Sequence, residues 1–316
     1  MKEEFIITAA PHIKDEKDVG SMMRGVIYGL IPAVAASVYF YRGKAVSLII
    51  VCILASLITE VIFRKARRRK VTLLDGSALV TGLLLALVLP PALPLGIAAL
   101  GAVMAIALGK QIFGGLGYNI FNPALVGRAF LMAAFPVLLT TWTEPLSLNA
   151  VTAATPLALM KFQGGIVPLL DLFLGWTSGS LGETSALALL LGGAYLFWRR
   201  LIGWRISLSY LGTVFILGGV THLVNAAKFP SPLFHLLAGG LLLGALFMAT
   251  DPVTTPVTKK GRWIFGLGCG ILLIIIRLWG GLPEGVMYSI LLMNMATPLI
   301  NRYTRPKPFG GRHQRR

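Results

Sequence analysis

The chain has 316 residues, 56% of them hydrophobic and only 13% charged, and its mean hydropathy is +0.78. A soluble domain carries about a quarter charged residues, so the balance excludes an ordinary globular enzyme and defines an integral membrane protein. A formal net charge of +17 would suit a nucleic-acid binder, yet no such motif accompanies it, and in a membrane chain excess Lys and Arg collects on cytoplasmic loops.

Residues 1–20 form a polar segment that lacks the apolar core and cleavage site of a removable signal peptide. Ten apolar stretches come next, each expected to cross the roughly 30 Å hydrocarbon layer. They are Ser21–Tyr41, Lys44–Phe63, Asp75–Leu89, Leu93–Gln111, Asn122–Thr140, Glu183–Trp198, Arg205–Val224, Pro232–Thr250, Arg262–Trp279 and Glu284–Ile300. Pro90, Pro91 and Pro94 force a break, read as a tight outer turn. Cys52 and Cys269 sit in separate apolar runs without CxxC spacing, which supports neither a zinc site nor a disulfide framework.

The basic residues orient these stretches. With the N-terminus inside, all but five of the 29 lysines and arginines fall on the cytoplasmic side, Arg128 among them; the five outside are Arg42, Lys44, Lys161, Lys228 and Arg277. Both termini are then cytoplasmic, and the loop over 141–182 is on the outer face. The basic tail over 301–316 reads as a solvated end or a contact for anionic lipid.

A weak internal repeat divides the chain. Gly82-Leu83-Leu84-Leu85-Ala86-Leu87 is echoed by the run from Gly240 to Leu246, and Phe113-Gly114-Gly115-Leu116 by Trp279-Gly280-Gly281-Leu282. Each member falls in the third to fifth helix of a five-helix half. Five is odd, so the halves over 21–140 and 183–300 must be inverted relative to each other, as in many transporters. The expected fold is therefore an all-α integral membrane protein of about ten transmembrane helices in two inverted five-helix repeats.

Polar chemistry concentrates in the outer loop, at Asn149-Ala150-Val151-Thr152-Ala153-Ala154-Thr155-Pro156-Leu157. Thr155 has no His, Cys or acid beside it in sequence, so the sequence points away from hydrolytic catalysis. Two readings stand: a plain turn with Thr152 or Thr155 capping a helix, or an acceptor hydroxyl that the following proline holds away from the backbone. A second conspicuous stretch, from Gly109 to Pro123, is glycine-rich, with Asn122-Pro123 opening the next helix. It matches neither a Walker A loop nor a Rossmann fingerprint. Gly114, Gly115, Asn119, Asn122 and Arg128 are candidates there, either lining a ligand or shaping a special turn. Glu60, Asp75, Arg128, Asp251 and Arg277 lie near expected helix ends, where capping is the ordinary role. His222 and His235 bracket an outer turn and are read as interfacial, with no third ligand for a metal.

Thr152-Ala153-Ala154-Thr155-Pro156-Leu157 resembles the S/T-x-A-T-P-L signature of the RnfD and NqrB family, membrane subunits of Rnf and Na+-translocating quinone reductase complexes. The resemblance implies that Thr155 carries FMN through a phosphoester placed by a separate flavin transferase, with Thr152, Ala153, Ala154, Pro156 and Leu157 as the attachment motif. Ala153 departs from a common glycine and Asn149 from a common aspartate. The 109–128 segment also resembles the family, and the likeness spans most of residues 20–300. A first helix near residue 21 favours RnfD over NqrB, whose chains carry a longer N-terminal extension. The resemblance further implies a subunit of the inner (cell) membrane that relays electrons in a ferredoxin:NAD+ oxidoreductase coupled to Na+ or H+ transport. Its partners are iron–sulfur and NAD/FMN subunits, a second covalent-flavin subunit and membrane lipid. Some family members also hold a non-covalent riboflavin; no residue here locates one. With no Rossmann motif or cysteine cluster, this chain carries no complete active site alone. The competing readings are a flavin-free channel or transporter on the same inverted plan, and a structural scaffold.

Overall fold

A computed structural model describes residues 18–69, 73–146, 154–226 and 228–306, and every element in it is helical. The helices are α1 Val19–Tyr41, α2 Gly43–Ala66, α3 Ser77–Leu87, α4 Leu95–Ile106, α5 Pro123–Ala134, α6 Pro136–Thr140, α7 Pro156–Ala158, α8 Leu169–Leu174, α9 Ala186–Trp198, α10 Trp204–Val224, α11 Pro232–Leu237, α12 Leu241–Leu243, α13 Lys259–Trp279 and α14 Val286–Tyr303. Three of them run on into π-helical turns: α4 into Ala107–Gln111, α7 into Leu159–Gln163 and α12 into Gly244–Met248. Such turns are rare and tend to mark functional places.

Four helices, α1, α2, α10 and α13, are long and apolar enough to cross a membrane. They are built inside-out relative to a soluble bundle. On α2 the large residues Val46, Ile50, Leu54, Ile58 and Ile62 are exposed in an i, i+4 stripe, while Ala45, Cys52, Ser56, Thr59 and Glu60 face inward. A stripe of branched aliphatics turned outward is stable only when lipid or another protein covers it, and small or polar residues turned inward let helices approach closely. The crossing of α1 and α9 uses this: a Cβ on Gly192 would lie 2.0 Å from the Gly29 carbonyl oxygen, so only glycine fits.

At the centre sit α3 and the 241–249 segment, apolar on all sides and almost wholly buried. A helix hydrophobic all round belongs in an interior, and the others wrap it: α2 packs on α3 and α4, α4 on α5, α10 on α13, and α14 on both α13 and α5. Each of the ten apolar stretches contains helix, but two are broken. The Asn122–Thr140 stretch bends at Phe135 before Pro136. The Pro232–Thr250 stretch stops at Leu237 and resumes at Leu241, with Gly239 at φ +70° in between. At about 1.5 Å per residue, the 11 residues of α3 also reach only partway across.

Candidate functional site

Thr155 stands at the head of α7. Its backbone is extended, as the following proline requires, at φ −66° and ψ 154°. Its side chain is not held clear of the helix: Oγ1 accepts a hydrogen bond from the Ala158 N–H at 3.2 Å, and the residue is only 4% exposed. The capping geometry is therefore present, whatever else the hydroxyl does. Asn149 to Ala153, Thr152 among them, lies outside the described residues. Ala154 is exposed; Pro156 and Leu157 are buried.

Acids absent from the neighbourhood in sequence are present in space. Thr155 shares a small recess with Ser178, Glu183, Gly239 and Glu284. On the other side of these carboxylates opens a cavity of about 330 Å3, lined by Ala154, Ala158, Phe162, Arg128, Trp142 and Tyr288 among others. The volume is at the lower end of the ~300–1,000 Å3 typical of small-molecule pockets. Its aromatic rings and the methionines Met132, Met248 and Met287 suit a flat, polarizable ligand.

Arg128 is the hinge of this site. Its guanidinium reaches Glu183 Oε1 at 3.4 Å and Glu284 Oε2 at 2.5 Å, and all three residues are largely buried. The charge distribution in the sequence assigns Arg128 to the cytoplasmic loops; it instead shares the cavity with the 154–162 segment, because α5 begins deep in the molecule. The α11–α12 break makes room: a Cβ on Gly240 would come within 2.5 Å of Glu183 Oε1.

Two cations tie the outer segment down. Lys161 Nζ lies 2.5–3.2 Å from the carbonyl oxygens of Ile276, Arg277, Gly280 and Leu282, which share its three N–H donors at the end of α13. Partial burial lowers its ammonium pKa. Arg277, expected near an interface, is 1% exposed and donates to His235 O and Ala238 O at 2.6 and 2.9 Å. His235 is likewise fully buried and not interfacial; His222 does sit at its turn, with Nδ1 2.8 Å from Phe229 O.

The glycine-rich stretch lies at the other end of α5. Gly114 and Gly115 take φ of +121° and +105°, and the basic run after α2 holds the turn: Arg67 donates to Gln111 O and Arg69 to Gly114 O. Asn122 caps α5 with Oδ1, donates to Met248 O at 3.3 Å, and its N–H meets Asn294 Oδ1 at 3.2 Å. Asn119 and Asn122 line a narrow cleft of about 70 Å3 with Lys110, Thr250 and Asp251. The structure thus brings Arg128 to Ala154, and to Thr155 only by way of Glu183 and Glu284, and leaves Gly114, Gly115, Asn119 and Asn122 apart from them. Glu60 is no helix-end cap: it sits within α2, fully buried, bound to Lys110 Nζ at 2.6 Å and Arg64 Nε at 3.0 Å. Asp75 does cap, accepting from the Ser77 N–H at 2.9 Å.

An all-helical membrane protein with buried charge clusters and a cavity at a broken helix has the features that mark functional sites in membrane subunits. The chain belongs to the NQR2, RnfD, RnfE family, whose model matches residues 6–310. It is 46% identical to the D subunit of the proton-translocating ferredoxin:NAD(+) oxidoreductase complex of Clostridium ljungdahlii, over 98% of each chain. It is 45% identical to the D subunit of the Na(+)-translocating ferredoxin:NAD(+) oxidoreductase complex of Acetobacterium woodii, over 96% of this chain and 95% of the other. The D subunit of the ion-translocating oxidoreductase complex of Stutzerimonas stutzeri is 40% identical over 92% of each.

Proposed function

We propose that this chain is the membrane electron-carrying subunit of an Rnf-type ferredoxin:NAD+ oxidoreductase, with FMN joined to Thr155 by a phosphoester and electron flow coupled to Na+ or H+ movement. The observation that carries the reading is the placement of Thr155: the motif threonine borders the recess that Glu183 and Glu284 separate from the 330 Å3 cavity. The residues present fit the group. Arg128 Nε is buried without a hydrogen-bond partner among the described residues, and the cavity wall is aromatic and apolar apart from Arg128, Glu183, Glu284 and Thr140. Bound there, FMN supplies reversible uptake of electrons. The chain's part is to anchor the group at Thr155, to wall the cavity with Trp142, Phe162 and Tyr288, and to brace the anchoring segment on α13 through Lys161. Attachment requires a flavin transferase, and the partners that exchange electrons are the other Rnf subunits.

The same reading places ten crossings in two inverted halves within the cell membrane, both termini inside. Its support is structural kinship between the halves. Each fourth helix ends near a buried cation, Lys110 or Arg277, before a Gly-Gly-Leu turn, and each third element is a short buried helix. Unusually short hydrophobic segments at matching places in two halves, here the third element of each, are the usual pointer to a ligand site. In a host with the transferase, Thr155→Val should abolish flavin fluorescence of the denatured polypeptide and stop ferredoxin-dependent NAD+ reduction by the complex. Retention of both would refute the reading and favour a flavin-free transporter.

A further inference from the structure

We propose that the Arg128–Glu183–Glu284 cluster sets the reduction potential of the group anchored at Thr155, an inference that rests on the flavin reading above. Three observations carry it. The cluster lies between the Thr155 recess and the larger cavity: Glu183 and Glu284 border both, and Arg128 lines the second. Arg128, only 5% exposed, has an enclosed Nε with no partner among the described residues, so its charge is held by the two carboxylates alone. And the backbone is shaped to admit the Glu183 carboxylate, since Gly240 leaves the space that Glu183 Oε1 occupies.

Here the two carboxylates hold the guanidinium from the side of Nη1 and Nη2 and leave Nε unused. Charges in such a dry setting act strongly on one another. A cation beside the ring favours an added electron and an anion opposes it. The net effect of the trio is therefore a balance that single substitutions tip in opposite directions.

The test is a spectroelectrochemical titration of the purified complex, with the Thr155→Val complex as the baseline that isolates this flavin, and peptide mass mapping of each variant. Arg128→Gln should lower the midpoint potential, while Glu183→Gln and Glu284→Gln should raise it, all with FMN still on Thr155. Should Arg128→Gln fail to accumulate, Glu284→Gln carries the test, since it leaves the Arg128–Glu183 pair in place. Unchanged potentials, or shifts of one sign in every variant, overturn the assignment while leaving the flavin reading intact. Absence of FMN from the wild-type loop in a competent host overturns both.

Discussion

At the scale of single residues, most of the chemistry lies in buried ions whose partners are remote in sequence. Lys110 and Glu60 are 50 positions apart and only 2.6 Å apart in space. Removing one member of a buried pair leaves an uncompensated charge, a loss of about 3–5 kcal/mol, whereas replacing both with apolar residues is often close to neutral. Lys110→Met should therefore lower the thermal stability of the purified protein sharply, and the Glu60→Leu/Lys110→Met double variant should recover much of it. A double variant worse than the single would show that Glu60 holds the fold through Arg64 instead. These partnerships are not legible in the sequence. Helix-end position suggests capping for Glu60, Asp75, Arg128, Asp251 and Arg277; Asp75 caps the start of α3 and Arg277 the end of a neighbouring helix, Asp251 accepts from the Val253 N–H, and Glu60 and Arg128 are held in buried ion pairs. Charge distribution misplaces Arg128 for a related reason: residue number measures distance along α5, not how deep α5 begins. Thr155 itself is legible from its motif, but its acidic neighbours Glu183 and Glu284 come from 28 and 129 positions onward and only the fold brings them in.

At the scale of elements, hydropathy locates helix but not where a helix stops halfway. The Gly239-Gly240 pair and Pro136 are visible breakers; what hides their effect is that the apolar run continues through them, since a half-helix buried in protein needs the same residues as a crossing one. The crossing of α1 and α9 depends on the absence of side chains. Gly192→Val should disrupt it, because its Cβ would overlap the Gly29 carbonyl, and overpacking of this kind costs about 1–3 kcal/mol or more. Gly212→Ala is the control: on α10 its Cβ would meet nothing within 4 Å, and a glycine-to-alanine change in a helix gains up to about 1 kcal/mol. Thermal unfolding followed by size-exclusion chromatography should separate the two; equal behaviour would mean that the α1–α9 contact contributes little.

For the whole molecule, an outer-face flavin requires the 154–165 segment and the α2–α3 turn to face opposite sides of the membrane. Both native cysteines are fully buried, so introduced thiols report cleanly. In intact cells an impermeant maleimide should label Gly165→Cys, an exposed site, and should label Lys65→Cys only after the membrane is opened. The reverse pattern would invert the topology and put the flavin threonine inside. Basic residues carry this orientation in the sequence through their uneven distribution, and relocating Arg128 to the interior leaves that bias standing. Covalent FMN on Thr155 is tested most directly by mapping the 141–182 loop of the protein from a host with the flavin transferase, by in-gel fluorescence and peptide mass. A fluorescent band and an FMN increment on Thr155 are the expected result; an unmodified Thr155 peptide from such a host would contradict the assignment.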